Sequence, residues 1–192
     1  MSIILASSSP RRREILEMFG IDFVIMAPDI DEDIIRSKYD LADKKEREDC
    51  LKALALAKAR AIQEKIGDDQ TILAADTMVF ADKPLGKPKD NEDALNMLKS
   101  LAGKSHEVIT AFAIINKSAI INESVRSTVR FIPMDENYLA FAQAYVRDGY
   151  STGKAGAYGI QDRGAYFVDT IDGDYYNIMG LPIESIRHII CG

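Results

Sequence analysis

Hydrophobic positions along the chain switch between a run pattern and a helical pattern, and each switch marks an element. Ile3 to Ala6 form a short apolar run that predicts a strand over 3–7. Ser9 and Pro10 then announce a helix, Ser9 as N-cap and Pro10 as first helical residue, with Ile15, Leu16 and Phe19 as one buried stripe and Gly20 as the stop. Residues 22–27 predict a second strand. A long helical pattern covers Cys50 to Ile66, where Leu51, Leu54, Ala55 and Lys58 share a face. Thr71 to Ala75 predict an apolar strand ending at Asp76, with Met78, Val79 and Phe80 beyond it and a turn-rich loop over 82–90.

Asn91 predicts the cap of a helix that carries Ala94, Leu95, Leu98 and Leu101 and closes at Gly103. Two extended runs, 106–116 and 119–132, meet at a short polar turn and predict an antiparallel hairpin. Asp135 opens another helix that stops near Gly149, residues 165–171 predict a strand, and Pro182 begins a last helix holding Ile183, Ile186, Ile189 and Ile190. Strands and helices alternate before the hairpin enters, which predicts an α/β fold with a mixed sheet flanked by helices. A chain of 192 residues, 47% hydrophobic and 28% charged, fits one globular unit in two lobes around a cleft.

The formal net charge of −6 excludes a protein that coats a nucleic acid polymer, so any phosphate site has to be local. No apolar run approaches the roughly 20 residues that span a bilayer. The apolar start is too short for a signal peptide, and Cys50 and Cys191 form no Cys-x-x-Cys pair, so a reducing cytoplasm is expected.

Against this background the first turn of the Ser9 helix stands out, because Arg11, Arg12 and Arg13 fill it. Cations at a helix N-terminus are disfavoured by about 0.3–1 kcal/mol each unless an anion meets them. A hydroxyl, free backbone N–H groups and guanidinium forks together suit a phosphate. Surface arginines after a Ser-Pro helix start are the plainer alternative.

Other candidates are carboxylates and lysines. Asp76 closes an apolar run, a poor place for aspartate without a polar task; it is either a turn-initiating residue or a carboxylate that holds Mg²⁺ or accepts a proton from water. Glu32 lies in PDIDED, a solvated acidic loop or a second metal carboxylate, with Asp29, Asp31 and Asp33 competing for that role. Lys58 on an apolar helix face needs an anion or must snorkel to water. Lys87 sits in a constrained Gly-Lys-Pro loop with no P-loop before it and by itself reads as a solvated loop lysine. His106 and His188 lack metal-ligand spacing, His106 reading as a packing or hydrogen-bonding residue, and no GxSxG elbow supplies a serine nucleophile. The glycine-rich stretch 151–164 lacks GxGxxG spacing but suits a binding loop. Carboxylates, cations and a helix N-terminus remain, the inventory of Mg²⁺-dependent phosphate chemistry.

Taken in order, LASSSPRR, DIDE, LALAKA, AADT, LGKP, LAGKSHEV, AYGIQ and GLPIESI resemble the Maf family, nucleoside triphosphate pyrophosphatases also described as septum formation inhibitor-like proteins. The resemblance runs almost end to end. It implies one Maf-like domain over 1–192, with two lobes around a cleft as in the inosine triphosphate pyrophosphatase-like group, and a homodimer. It also implies hydrolysis of a nucleoside triphosphate to monophosphate and diphosphate, a house-cleaning of the nucleotide pool. Carried over by motif, Asp76 matches the proton acceptor; Ser9, Arg12, Lys58 and Lys87 match phosphate-binding positions; Glu32 and Asp76 match the holders of a divalent cation, Mg²⁺ or Mn²⁺.

In that family substrate choice tracks three positions, here Arg11, Thr77 and Gln161, and this combination resembles the branch acting on dTTP, UTP and modified pyrimidine triphosphates. The 7-methyl-GTP branch carries tryptophan, glutamine and glutamate there, and this chain has no tryptophan. A neutral amide pairs with the donor and acceptor edge of a pyrimidine, whereas glutamate suits a cationic methylated guanine. The competing readings are a 7-methyl-GTP pyrophosphatase and a nucleotide-binding regulator of septum formation without essential catalysis. The chain departs from the family at Met78, a packing change, and at Asp162 and Arg163 after Gln161, where an acidic residue can alter base or sugar contacts.

Overall fold

The computed structural model describes residues 3–190, so Cys191 lies outside the described residues. Seven strands pair in one mixed sheet in the order β2-β1-β3-β5-β6-β7, with β4 on β3. These are β1 (Ile3–Leu5), β2 (Phe23–Ile25), β3 (Ile72–Phe80), β4 (Pro84–Leu85), β5 (Ser105–Ile115), β6 (Ile120–Phe131) and β7 (Val168–Asp172). β1 runs parallel to β2 and β3, with Ile4 opposite Val24 and Ile72, while β4 and β7 pair antiparallel to their neighbours. The helices are α1 (Pro10–Met18), α2 (Glu32–Arg36), α3 (Lys44–Ile66), α4 (Asn91–Leu101), α5 (Glu136–Arg147), α6 (Tyr175–Met179) and α7 (Ile183–Ile190). None among the described residues is long and apolar enough to cross a membrane.

The chain divides into two compact units. The first comprises the described residues up to Thr77, then Ile109–Val125, then the chain from Tyr176 on. Ile15, Leu16, Leu51, Leu54, Ile62 and Ile186 are fully buried in it, the apolar stripes of α1, α3 and α7. The second unit comprises Met78–Val108 and Arg126–Tyr175. Its core is aromatic: Phe131, Tyr138, Tyr145 and Phe167 are fully buried, and Phe167 packs on each of the other three at 5.1–5.7 Å between ring centroids.

Five expectations need correction. Phe19 is the C-cap of α1 rather than part of its buried stripe; it is 44% exposed and meets the edge of Tyr176 at 5.1 Å. β3 does not end at Asp76 but continues to Phe80, because Lys58 neutralises the carboxylate and the apolar Met78, Val79 and Phe80 carry the strand on. α4 is capped by Asp90, whose side chain accepts from the Asp93 N–H, one residue before the expected Asn91. Residues 163–167 form a 3₁₀ turn capped by Asp162, so the strand expected over 165–171 is displaced to Val168–Asp172. The long helix also starts earlier than its apolar pattern, at Lys44, since the Asp43 carboxylate caps a polar first turn.

His106 opens β5 as a packing residue, as expected. It is 2% exposed, lies 2.9 Å from the Tyr158 hydroxyl through Nε2, and meets the Phe131 ring at 5.0 Å. Its Nδ1 is buried with no hydrogen-bond partner. Burial pulls its pKa down from 6.5 to about 4. Above pH 6.5 the imidazole is neutral whether the chain is folded or not. Between pH 6.5 and 4 only the unfolded chain takes the proton, so stability falls as pH drops, by on the order of 3 kcal/mol for this group. Urea unfolding at pH 7 and pH 4.5 should show a smaller acid loss for His106→Phe than for the native chain.

Candidate active site

In the first unit, Arg12 on α1, Glu32 on α2, Lys58 on α3 and Asp76 on β3 bring charged groups together. α3 buries one stripe through Leu51, Leu54, Ala55, Ala59 and Ile62, and Lys58 falls on it two turns beyond Leu51, so its stem is buried with the core. Its ammonium has two carboxylate partners: Asp76 Oδ1 at 2.5 Å and Glu32 Oε1 at 2.8 Å. Lys58 and Asp76 side chains are 8% and 11% exposed, so the pair is desolvated and each ion requires the other.

The acidic stretch 29–33 is sorted by α2. Asp31 caps that helix, accepting from the Asp33 and Ile34 N–H groups, and Asp33 pairs with Arg36 at the surface. Glu32 alone of these turns to Lys58, and its second oxygen accepts from Arg36 Nη2 at 3.1 Å. Spacing could not choose among the four carboxylates, because the choice is made by which residue the Asp31 cap places on the inner side of one short helix.

α1 begins with Ser9 as N-cap, but the Ser9 hydroxyl makes no capping bond and the first turn holds no acidic residue. Ser9 N–H is instead held by Ser7 Oγ at 3.1 Å. The three arginines take different positions. Arg13 is exposed beside Glu17, Arg11 is half-buried, and Arg12 is buried. Arg12 donates to Gly180 O at 2.8 Å, Ser7 Oγ at 3.1 Å and Thr77 Oγ1 at 3.2 Å. Burial lowers its pKa from the ordinary value, opposed by the negative charge of Asp76 and, more weakly, of Glu32. One of the three misplaced charges is thus accommodated by the protein's own oxygens and carboxylates.

Thr77 extends this cluster. Its hydroxyl lies 3.0 Å from Thr110 Oγ1, which donates to Asn177 O at 2.8 Å, while Thr110 N–H donates to Asn177 Oδ1. Since Thr110 gives its proton to Asn177, Thr77 donates to Thr110 and accepts from Arg12. Both are therefore committed to an internal chain of hydrogen bonds.

Oxygen-only donors such as Glu32 and Asp76 suit a hard divalent cation that completes its shell with phosphate oxygens and water. Among the described residues no group of three or more His, Cys, Asp or Glu side chains converges.

The Maf-like protein family model matches residues 2–191 of this chain. The chain belongs to the Maf family. Curated relatives of this Maf chain include a Clostridium botulinum (strain Alaska E43 / Type E3) protein 41% identical over 99% of this chain and 98% of its own length. Others are from Thermococcus kodakarensis, 43% identical over 96% and 93%, and Pyrococcus furiosus, 43% identical over 98% and 93%. Each of the three is named dTTP/UTP pyrophosphatase.

In this Maf chain the remaining motif residues lie in the second unit. Lys87 is exposed in the loop after β4, whose Gly86 carbonyl accepts from Gly156 N–H at 3.1 Å. Gln161 is half-buried in the turn before the 3₁₀ segment. Sequence reasoning missed Ser7, Arg36, Thr110, Asn177 and Gly180. Asn177 carried a signal, a polar residue within the apolar Tyr-Tyr-Asn-Ile-Met segment. Arg36 carried another, four residues after Glu32 on what proves to be a helix. Cys50 is buried, which pushes its thiol pKa up and makes it inert packing.

Proposed function

We propose that this Maf chain hydrolyses dTTP and UTP between the α and β phosphates, releasing the monophosphate and diphosphate, with an inosine triphosphate pyrophosphatase-like architecture and a Mg²⁺ or Mn²⁺ requirement. The observation that carries the reading is the convergence of Glu32 and Asp76 on the buried Lys58 ammonium, in the same unit as a helix N-terminus without a side-chain cap. Full-length relatives named dTTP/UTP pyrophosphatase support the substrate class.

In this reading Glu32 and Asp76 hold the cation, which when bound neutralises phosphate charge and makes the α phosphorus easier to attack. Lys58 fixes one oxygen of Asp76. The Asp76 carboxylate orients the attacking water and takes its proton as the new O–P bond forms and the bond from the α phosphorus to the bridging oxygen breaks. The diphosphate leaves with the electron pair of that bridge. Arg12 anchors the Ser7–Ser9 turn and keeps its remaining N–H groups for phosphate; Ser9, the α1 N–H groups and Lys87 hold the diphosphate. Arg11, Thr77 and Gln161 select the pyrimidine, with Thr77 acting through the hydrogen bonds that set its backbone.

Incubation of purified protein and Mg²⁺ with dTTP, UTP, CTP and 7-methyl-GTP, followed by phosphorus NMR, should show diphosphate and monophosphate from dTTP and UTP. Orthophosphate release would overturn the pyrophosphatase assignment. Preference for 7-methyl-GTP would move the chain to the other substrate branch, and no turnover would favour the regulatory reading.

A further inference from the structure

The acidic residue after Gln161 is built into the protein. Asp162 pairs through Oδ2 with Lys154 Nζ, and its Oδ1 accepts from the Tyr145 hydroxyl at 3.0 Å and from Gly164 N–H at 2.8 Å. The Tyr145 hydroxyl in turn accepts from Gly159 N–H at 3.1 Å. Lys154 also donates to the Tyr150 carbonyl and lies 5.7 Å from the Tyr145 ring centroid. Both ends of the 159–164 turn are therefore tied to one Tyr145–Asp162–Lys154 cluster, with Tyr145 itself fully buried on α5.

The turn has no room to relax around that cluster. A Cβ at Gly159 would stand 2.6 Å from Asp162 Oδ2, and one at Gly164 would stand 2.6 Å from the Gly159 carbonyl. Just upstream, Gly156 at φ +69° and Ala157 at φ +63° are consecutive left-handed residues. A buried alanine there is strained and persists only where its surroundings fix it. Gln161 stands inside the clamped turn, half-buried, and its side-chain amide has no hydrogen-bond partner among the described residues.

We infer that Lys154, Asp162 and Tyr145 are positioning residues for Gln161, holding its amide at the angle that reads a pyrimidine edge. The inference rests on the pyrophosphatase reading above. Fixing the turn before substrate arrives removes an ordering cost from binding, so loss of the clamp acts on KM rather than on the chemical step.

Lys154→Met keeps the stem against the tyrosine rings and deletes the ion pair; Lys154→Arg keeps the charge. For Lys154→Met the expected result is a KM for UTP raised about tenfold, roughly the 1.4 kcal/mol of a lost partly exposed ionic hydrogen bond, with kcat unchanged. Amide hydrogen exchange at Gly159 and Gly164 should accelerate, and Lys154→Arg should recover most of both effects. A merely structural lysine would lower the melting temperature without separating KM from kcat. Native protein that hydrolyses UTP, paired with Lys154→Met of unchanged KM or unchanged Gly159 and Gly164 exchange, overturns the clamp alone. Native protein that hydrolyses no pyrimidine triphosphate overturns the reading on which the clamp rests.

Discussion

Asp76→Asn is expected to lower kcat for UTP by roughly 10²–10⁴-fold, the range lost with a positioned general base, while KM changes little. Asparagine has the size of aspartate and keeps a carbonyl oxygen to accept from Lys58, so the 2.5 Å contact survives as an ordinary hydrogen bond. Lys58 retains a negative partner in Glu32 at 2.8 Å, so the buried ammonium is not stranded. What asparagine cannot do is take a proton from water. Steady-state kinetics at saturating Mg²⁺, with circular dichroism to confirm the fold, checks the expectation. An Asp76→Asn enzyme of near-native kcat would remove Asp76 from proton transfer and leave it a structural partner of Lys58.

The parts of this site legible in the sequence are those whose residue type conflicts with its local setting. Lys58 on an apolar helix face and Asp76 in an apolar strand each violate a burial rule, and each resolves the other's violation across 18 positions of chain. A pattern of single positions shows both anomalies but not their pairing, because pairing depends on β3 running beside the elements that α3 packs against. The same limit hid the end of β3. Asp76 reads as a strand terminator only while its charge is unaccounted for.

The arginines show the opposite case. The three cations of α1 read alike in sequence, yet Arg12 turns inward to Ser7, Thr77 and Gly180 while Arg13 faces solvent beside Glu17. Helical periodicity of about 100° per residue separates them, but only the position of the 177–180 segment decides which one finds acceptors. Asp162 carries the same lesson. Its departure from the family pattern looked like a change at the substrate, whereas Lys154, eight residues earlier, and Tyr145 on α5 use it to cap and fasten a turn. Local caps such as Asp43 and Asp135 were within reach of sequence rules, though Asp43 required looking beyond the apolar part of its helix.

Removing the other half of the central ion pair has a different outcome. Lys58→Met leaves Asp76 buried with no cation in contact, and truncating one partner of a buried pair costs about 3–5 kcal/mol. Glu32 is 39% exposed and keeps Arg36, so most of that cost falls on Asp76. The lower figure, about 3 kcal/mol, corresponds to a fall of roughly 6–12 °C in Tm for a chain of this size. Adding Asp76→Leu to Lys58→Met removes the unpaired carboxylate altogether, and the double variant should regain most of the lost stability while remaining inactive. Thermal melts of the four proteins in that cycle check the argument. Strictly additive losses would mean that Lys58 and Asp76 do not depend on each other, and that the convergence of Glu32 and Asp76 on one ammonium holds nothing together.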